Sequence, residues 1–175
     1  MRKLLILTAN PIGSDQLRLA AEIRDISEGL KRSHHRDNFK IIPHLAVRPR
    51  DLRRAVVEEA PQMVHFSGHG EGKAGLYFED EAGNPKLVTG KVLSGLFDLI
   101  AEKTQVECVV LNRCYSSAQA EAIAQHVPYV VGMQQAVGDK AAIEFSVGFY
   151  DAIWNGESVE FAFKSGKVAA QFSSI

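Results

Sequence analysis

Two side chains of this sequence are suited to acyl-transfer chemistry, and each follows a strongly apolar segment. The stretch MVHFSGHG (residues 63–70) presents His69 between two glycines, and VVLNRCYSS (residues 109–117) presents Cys114. A cysteine thiolate is a nucleophile, and an imidazole titrates near neutral pH and can pass a proton to a leaving amine. Together they form the minimum apparatus for nucleophilic acyl transfer.

The surroundings of both residues favour this chemistry. Cys114 precedes a predicted helix that starts near Ser116, and the dipole of that helix favours negative charge on the sulfur. Gly68 and Gly70 leave the backbone around His69 bare, so a substrate backbone can approach and the Gly70 N–H can donate to an oxyanion. The alternative interpretation is structural: a histidine in a tight turn and a cysteine that packs as a small hydrophobic residue.

The period of the apolar pattern predicts the sheet that would bring the two residues together. Five strands are predicted, at residues 3–9, 39–47, 62–68, 106–112 and 128–133. They alternate with helical patterns, which predicts an α/β fold with a doubly wound, mainly parallel sheet and helices on both faces. Pro43 is expected at a sheet edge because proline has no N–H to donate. Sites in such sheets form beyond the carboxyl ends of the strands, so we expect His69 and Cys114 on neighbouring strand ends.

Helical spacing and turn residues predict the remaining elements. Helices are expected at residues 15–30, 48–60, 89–100, 116–126 and 139–154, followed by an amphipathic helix through Phe161, Val168 and Phe172. Asp15 and Thr89 are predicted N-caps, and Ser116 with Gln119 has the spacing of a capping box. Residues 75–88 are typical of a β-hairpin that turns near Gly83.

Length and composition describe one globular domain over residues 1–175. Hydrophobic residues make up 46% and charged residues 23%, and the formal net charge of −1 gives no electrostatic reason to expect nucleic acid or a membrane as partner. The first apolar run is too short for a signal peptide, and none approaches the ~20 residues of a membrane helix. Two cysteines are too few for a disulfide framework, so we expect free thiols and a cytoplasmic location.

Neither a cofactor nor a metal is expected. No glycine-rich phosphate loop follows the first strand. His65 and His69 lie four residues apart, but Gly68 interrupts the strand between them and no third zinc ligand is evident. Cys108 lies within an apolar strand and is predicted to belong to the core.

The motifs around both residues resemble a known family. The segments VHFSGHG, VECVVLNRCYSS and GDKAAIEFSVGFYDAI look like the CHAT family, bacterial relatives of the caspases, separases and metacaspases. ANPIGSDQLRLAAEIRDI and AVRPRDLRRAV also match segments of such domains, so the resemblance covers nearly the whole chain. His69 precedes Cys114 by 45 positions (114 − 69), similar to the spacing of about 50 in caspases. The resemblance implies a caspase-like fold with Cys114 as nucleophile and His69 as general acid/base. It also implies an oxyanion site formed by the N–H groups of Gly70 and Cys114.

The same resemblance bears on substrate preference. In caspase-like enzymes the residue two before the cysteine helps line the pocket for the side chain that precedes the cut, and here it is Asn112. Asp15, after the first strand, and Asp139, after the fifth, either favour a basic residue at the cut site or serve only as helix N-caps. Arg113 stands where we expect a small residue, and it either lowers the pKa of the Cys114 thiol or points to solvent.

Three functions are compatible with these patterns. The favoured one is a cysteine endopeptidase in regulated proteolysis of a protein or peptide, in settings such as prokaryotic defence or cell death. The second is a catalytically silent interaction module that binds a regulatory protein or a second copy through the strongly apolar helix at residues 139–154. The third, a small-molecule binder of flavodoxin type, has only the fold class in its favour.

Overall fold

A five-stranded parallel sheet forms the centre of the molecule. The computed structural model describes the backbone of residues 1–173 and every side chain in that range except those of residues 113–115. The strands in chain order are β1 (Arg2–Thr8), β2 (Phe39–His44), β3 (Met63–Ser67), β4 (His69–Gly70), β5 (Leu76–Glu79), β6 (Pro85–Val88), β7 (Cys108–Tyr115) and β8 (Tyr129–Met133). The parallel sheet has the order β2-β1-β3-β7-β8. The predicted α/β class, and the edge position of the strand that contains Pro43, are confirmed.

A second, smaller sheet follows β3. It is antiparallel, with the order β4-β5-β6. The predicted hairpin over residues 75–88 corresponds to β5 and β6, in which Leu76 pairs with Val88. The two-residue strand β4 was not predicted, because it is too short to produce a period. It adds His69 to the hairpin, opposite Tyr77.

Six helices cover the two faces of the parallel sheet. They are α1 (Leu19–Arg32), α2 (Pro49–Glu59), α3 (Gly90–Ala101), α4 (Ser117–Ile123), α5 (Asp139–Trp154) and α6 (Val159–Phe172). Alternate residues of each strand point to opposite faces, so Leu5 and Leu7 pack with α2, α3 and α4, while Leu4 and Ile6 pack with α1, α5 and α6. We call these two layers the α3-side core and the α5-side core. None of the helices within residues 1–173 is long and apolar enough to span a bilayer.

The helix ends differ from the sequence prediction at three of the four expected caps. Asp139 is the first residue of α5, and Gly138 occupies the N-cap position. Thr89 is confirmed as the N-cap of α3, since its Oγ1 accepts from Val92 N at 3.4 Å. Asp15 is not a cap, because α1 begins four residues later at Leu19. Ser116 occupies the N-cap position of α4 but does not cap it. Its hydroxyl instead accepts from Met133 N at 3.0 Å, which joins β7 to β8 just after the ladder between them becomes irregular.

The last two helices differ in how much of their apolar surface is exposed: α5 is largely buried, whereas α6 leaves several apolar residues exposed. Helix α5 matches its predicted bounds and lies between the sheet, α1 and α6, with nine of its residues buried. Much of its apolar circumference is therefore covered within the chain. Self-association through the 139–154 helix stays a prediction. Helix α6 instead packs through Ala162 and Gly166 and leaves Phe161, Val168 and Phe172 half or more exposed. The predicted amphipathic helix is present, but these three residues lie on its outer surface and not on the face that packs against α5.

Candidate active site

Strand register brings the two chemically capable positions to neighbouring strand ends. Strands β3 and β7 are adjacent and parallel, and Ser67 pairs with Asn112. His69 and Cys114 each follow two residues after that pair. The backbone therefore brings both positions to the same edge of the sheet, as the strand pattern predicts. The side chains of Arg113 and Cys114 lie outside the described residues.

His69 opens onto a surface groove of about 390 Å³. The groove is formed by the loop after β1 (residues 11–15), His69, Gly70, Tyr77 and Pro85. The His69 ring is partly buried, and its Nε2 lies 3.1 Å from Asn10 Oδ1. An imidazole that is held by a polar side chain and lines a groove is suited to proton transfer at a bound substrate.

The two glycines that flank His69 have different surroundings. Gly68 is buried, and a Cβ there would lie 2.9 Å from both the Ala9 carbonyl oxygen and the Phe66 ring. Internal packing thus accounts for this glycine, and the expectation that Gly68 makes room for a substrate gains no support. Gly70 lines the open groove beside His69, where its backbone is within reach of a ligand.

The two acidic residues expected to select a basic substrate have different environments. Asp15 is exposed and lines the groove that contains His69. Asp139 accepts from Arg18 Nε at 2.7 Å and from the Arg18 backbone N at 3.1 Å. Asp139 therefore contacts the N-cap residue of α1 through both bonds, and an arginine already offsets its charge. Only Asp15 is placed in the groove.

Asn112 lies in the interior and not in the groove. Its side chain is fully buried, and its Nδ2 contacts Glu22 Oε1 at 2.7 Å, Ser146 Oγ at 2.7 Å and the Ala142 carbonyl oxygen at 3.0 Å. These contacts join β7 to α1 and α5. The expectation that Asn112 lines the specificity pocket does not match this position, because a side chain with no exposed surface cannot touch a substrate.

Asn112 belongs to a buried polar network centred on Glu22, which the sequence analysis missed. Glu22 is 1% exposed and accepts from Ser67 Oγ and Ser146 Oγ, each at 2.6 Å. His65 Nε2 lies 3.1 Å from the same carboxyl group. The signal in the sequence was position: Glu22 is three residues after Leu19 and four before Ile26, so it lies on the inward face of α1.

The network also accounts for the second histidine of the motif. His65 is fully buried, and its Nδ1 lies 3.1 Å from the Tyr150 hydroxyl. Burial raises the pKa of Tyr150 well above its usual value, so the phenol stays protonated and donates to that nitrogen. Both ring nitrogens of His65 are thus engaged within the core. Among the described residues, no group of three or more His, Cys, Asp or Glu side chains is placed to hold a metal ion.

Cys108 is confirmed as a core residue. Its side chain is 1% exposed and belongs to the α5-side core. Burial raises the pKa of its thiol to about 12, so it remains a protonated thiol at neutral pH. Cys108 therefore cannot supply the nucleophile.

Gln119 links the segments that follow the two candidate residues. It is 1% exposed, and its Nε2 donates to the Gly72 carbonyl oxygen at 2.8 Å. Gly72 lies just after the His69–Gly70 strand, and Gln119 lies on α4, which follows Cys114. The expected capping box with Ser116 does not form, and this bond connects α4 to the loop after β4 instead.

Comparison with known proteins identifies the family. The family model described as the CHAT domain matches residues 6–171. A Roc-COR-CHAT protease from an unknown prokaryotic organism is 27% identical over 173 residues, which cover 96% of this chain and 16% of that protein. A probable protease from Gillisia limnaea is 24% identical over 176 residues, which cover 99% of this chain and 31% of that protein. The chain thus spans less than a third of the length of either relative.

The family match agrees with the architecture, a mainly parallel α/β sheet with candidate residues at its carboxyl edge. The matched range contains the end of β1, every strand from β2 to β8 and the motifs around His69 and Cys114. The chain belongs to the CHAT domain family.

Proposed function

We propose that this chain is a cysteine peptidase domain in which Cys114 is the nucleophile and His69 the general acid/base. The observation that carries the proposal is the strand register: both residues follow by two positions the paired residues Ser67 and Asn112 of adjacent strands. The names of the two relatives, both described as proteases, support the same activity. Cys108 offers no competing nucleophile, since it is buried and protonated.

The reaction would proceed in two steps. The Cys114 thiol transfers its proton to His69, and the thiolate attacks the carbonyl carbon of the scissile bond. As the C–N bond breaks, His69 returns the proton to the leaving amine, which leaves a thioester on Cys114. His69 then takes a proton from water, the hydroxide attacks the thioester carbon, and the C–S bond breaks. The thiolate takes the proton back from His69, so thiol and imidazole are regenerated.

Gly70 is the proposed oxyanion donor. It lies in the groove beside His69, and its partner residue in the β4–β5 pairing is Leu76. A backbone N–H fixed by a sheet is already oriented when charge develops on the substrate oxygen, which is the condition for effective stabilisation.

The proposed substrate is a polypeptide with a basic residue near the cut. Asp15 supplies an exposed carboxylate in the groove that contains His69, and no lysine or arginine lines that groove in the described part of the chain. Asp139, the other candidate, is engaged by Arg18. The proposed preference for a basic residue therefore depends on Asp15, and Asp15→Asn is the variant that tests this preference.

The activity is tested with a covalent cysteine probe on the purified chain. We expect the wild type to be labelled and to cleave peptides in a proteome-derived library, and Cys114→Ala to do neither. Cys108→Ala is the matched control, because it removes the other thiol of the chain without touching the groove. Labelling or cleavage that survives in Cys114→Ala would overturn the assignment, provided that circular dichroism shows both variants to be folded.

A second candidate function, a binding module without catalysis, is favoured by the outer surface of α6. Phe161 and Phe172 are 52% and 70% exposed, more than large aromatic side chains usually are. A wild-type chain that is neither labelled nor active, but forms a defined complex in light scattering, would support this function over proteolysis.

A further inference from the structure

One contact at the candidate site that the proposed reaction does not use joins His69 to Asn10. The distance from His69 Nε2 to Asn10 Oδ1 is 3.1 Å, and the pair is partly buried. Asn10 is the second residue after β1, and the residue before it, Ala9, donates its backbone N–H to the Ser67 carbonyl oxygen at 3.2 Å. The loop after β1 is therefore joined to the end of β3, next to the strand that carries His69.

Asn10 is itself held in place on two sides. Its backbone N–H donates to Glu79 Oε1 on β5 at 2.8 Å. Its side-chain Nδ2 lies 3.4 Å from Gln16 Oε1, which is a longer and weaker contact. The bond to Glu79 fixes the backbone of Asn10 against the same small sheet that holds His69.

The amide oxygen of Asn10 faces the imidazole, and its amide nitrogen lies toward the side-chain oxygen of Gln16. Since an amide oxygen only accepts, Nε2 of His69 is the nitrogen that carries a hydrogen.

We propose that Asn10 is a positioning residue that holds His69 with Nε2–H directed at the loop after β1 and keeps Nδ1 as the nitrogen that exchanges protons in catalysis. The proposal rests on the proposed peptidase function and adds a residue to it. An acceptor at Nε2 also stabilises the imidazolium, the form that His69 takes when the thiol of Cys114 is ionised.

Other titratable groups near His69 also contribute to the electrostatic environment of its imidazole. Asp15 shares the groove. Tyr77 lies opposite His69 on β5, and its hydroxyl is bonded to Glu71. Glu79 lies behind Asn10. The test therefore changes Asn10 alone and leaves these charges in place.

The first measurement is the pKa of His69, followed by NMR of the imidazole signals in the purified chain. The six histidines are distinguished by comparison with His69→Gln. We expect Asn10→Ala to lower the pKa of His69 by a few tenths of a unit, because the acceptor is lost. We expect Asn10→Asp to raise it by about 1 unit, because a carboxylate replaces the amide at the same position. Asn38→Ala, an exposed asparagine in the turn before β2, is the matched control and should leave the titration unchanged.

The second measurement is steady-state cleavage of a peptide identified by the library experiment. We expect Asn10→Ala to lower kcat about 10- to 100-fold with KM changed less than about 3-fold, since a loosened imidazole affects proton transfer more than binding. Asn10→Asp should recover part of kcat and move the acidic limb of the pH profile upward. A residue with only a structural role would change neither the pH profile nor the split between kcat and KM in this way.

The two measurements separate the possible failures. An unchanged His69 pKa in both Asn10 variants, with activity retained, would overturn the role of Asn10 and leave the peptidase intact. The expected pKa shifts in a chain whose wild type cleaves nothing would overturn the peptidase function and, with it, the catalytic role of Asn10. Asn10→Asp preserves the size of the side chain, so the comparison holds even where Asn10→Ala does not fold.

Discussion

At the scale of single residues, Glu22 has a carboxyl group that is almost fully buried and depends on several hydrogen-bond donors. A buried carboxyl group is stable only when its oxygens are satisfied, and donors from β3, β7 and α5 converge on this one. Two of these donors, Ser67 and Asn112, are the register pair that precedes the candidate residues. The network thus fixes the ends of both strands relative to α1.

Removing the Glu22 carboxyl group should be costly. We expect Glu22→Ala to lower the free energy of unfolding by roughly 3–5 kcal/mol, because several buried donors lose their acceptor. Glu22→Gln keeps one acceptor oxygen and should lose less. Urea denaturation measures both changes. Glu28→Ala, on the exposed face of the same helix, should stay within about 0.5 kcal/mol, and an equal loss in that variant would contradict the argument.

The sequence could predict positions at this scale but not partners. His69 and Cys114 were found from residue type and from the strands before them. Asn10 and Glu22 were not, since their contacts with His69 and Asn112 span 59 and 90 positions along the chain. A periodic pattern records which face a residue occupies and contains no information about which distant side chain it meets.

At the scale of elements, the contact between α5 and α6 depends on glycine. A Cβ at Gly166 would lie 2.8 Å from the Phe145 carbonyl oxygen and 2.9 Å from the Phe145 ring. At Gly148, on the opposite helix, a Cβ would meet Ala169 Cβ at 2.6 Å. The two helices therefore approach so closely that each lacks a side chain where the other passes.

Filling this contact should separate the two helices. Alanine is a better helix former than glycine by about 1 kcal/mol, but we expect Gly166→Ala to destabilise the chain by about 1–3 kcal/mol because of the clash with Phe145. Gly95→Ala in α3 is the control, because nothing lies within 4 Å of that position, and it should stabilise by up to about 1 kcal/mol. Thermal and urea unfolding measure whether each variant lowers or raises the free energy of unfolding. A stabilised Gly166→Ala would show that α6 is loosely held.

The sequence could predict which segments form helices and strands, but it could not predict where each helix begins. The five long strands and the bounds of α5 follow from apolar periodicity. The start of α1 was placed four residues early, since Asp15 has the chemistry of an N-cap but lies in the groove loop instead. The outward aromatic residues of α6 were missed because its packed face consists of small residues, which carry little hydrophobic signal.

At the scale of the whole molecule, one sheet separates two cores. Leu93 and Phe97 belong to the α3-side core, and Trp154, the only tryptophan of the sequence, belongs to the α5-side core. Because both cores share the same strands, neither can be lost while the sheet remains intact. Unfolding should therefore be a single cooperative transition.

A cavity created in the α3-side core should also change the unfolding transition that Trp154 reports from the α5-side core. We expect Leu93→Ala to cost about 2–5 kcal/mol and to shift the urea midpoints of Trp154 fluorescence and of far-UV circular dichroism by the same amount. Val92→Ala, at an adjacent position that is 61% exposed, should shift neither. Fluorescence that keeps its midpoint while circular dichroism moves would show that the two cores unfold separately.

The two candidate catalytic residues belong to different sheets. Cys114 is part of the large parallel sheet, whereas His69 is carried by the short antiparallel one. The distance between these two backbone positions is thus set by how the hairpin packs against the main sheet. A shift of the hairpin by an ångström or so would change that distance without breaking any ladder of the main sheet, so the proposed activity and the folding stability can vary independently in this architecture.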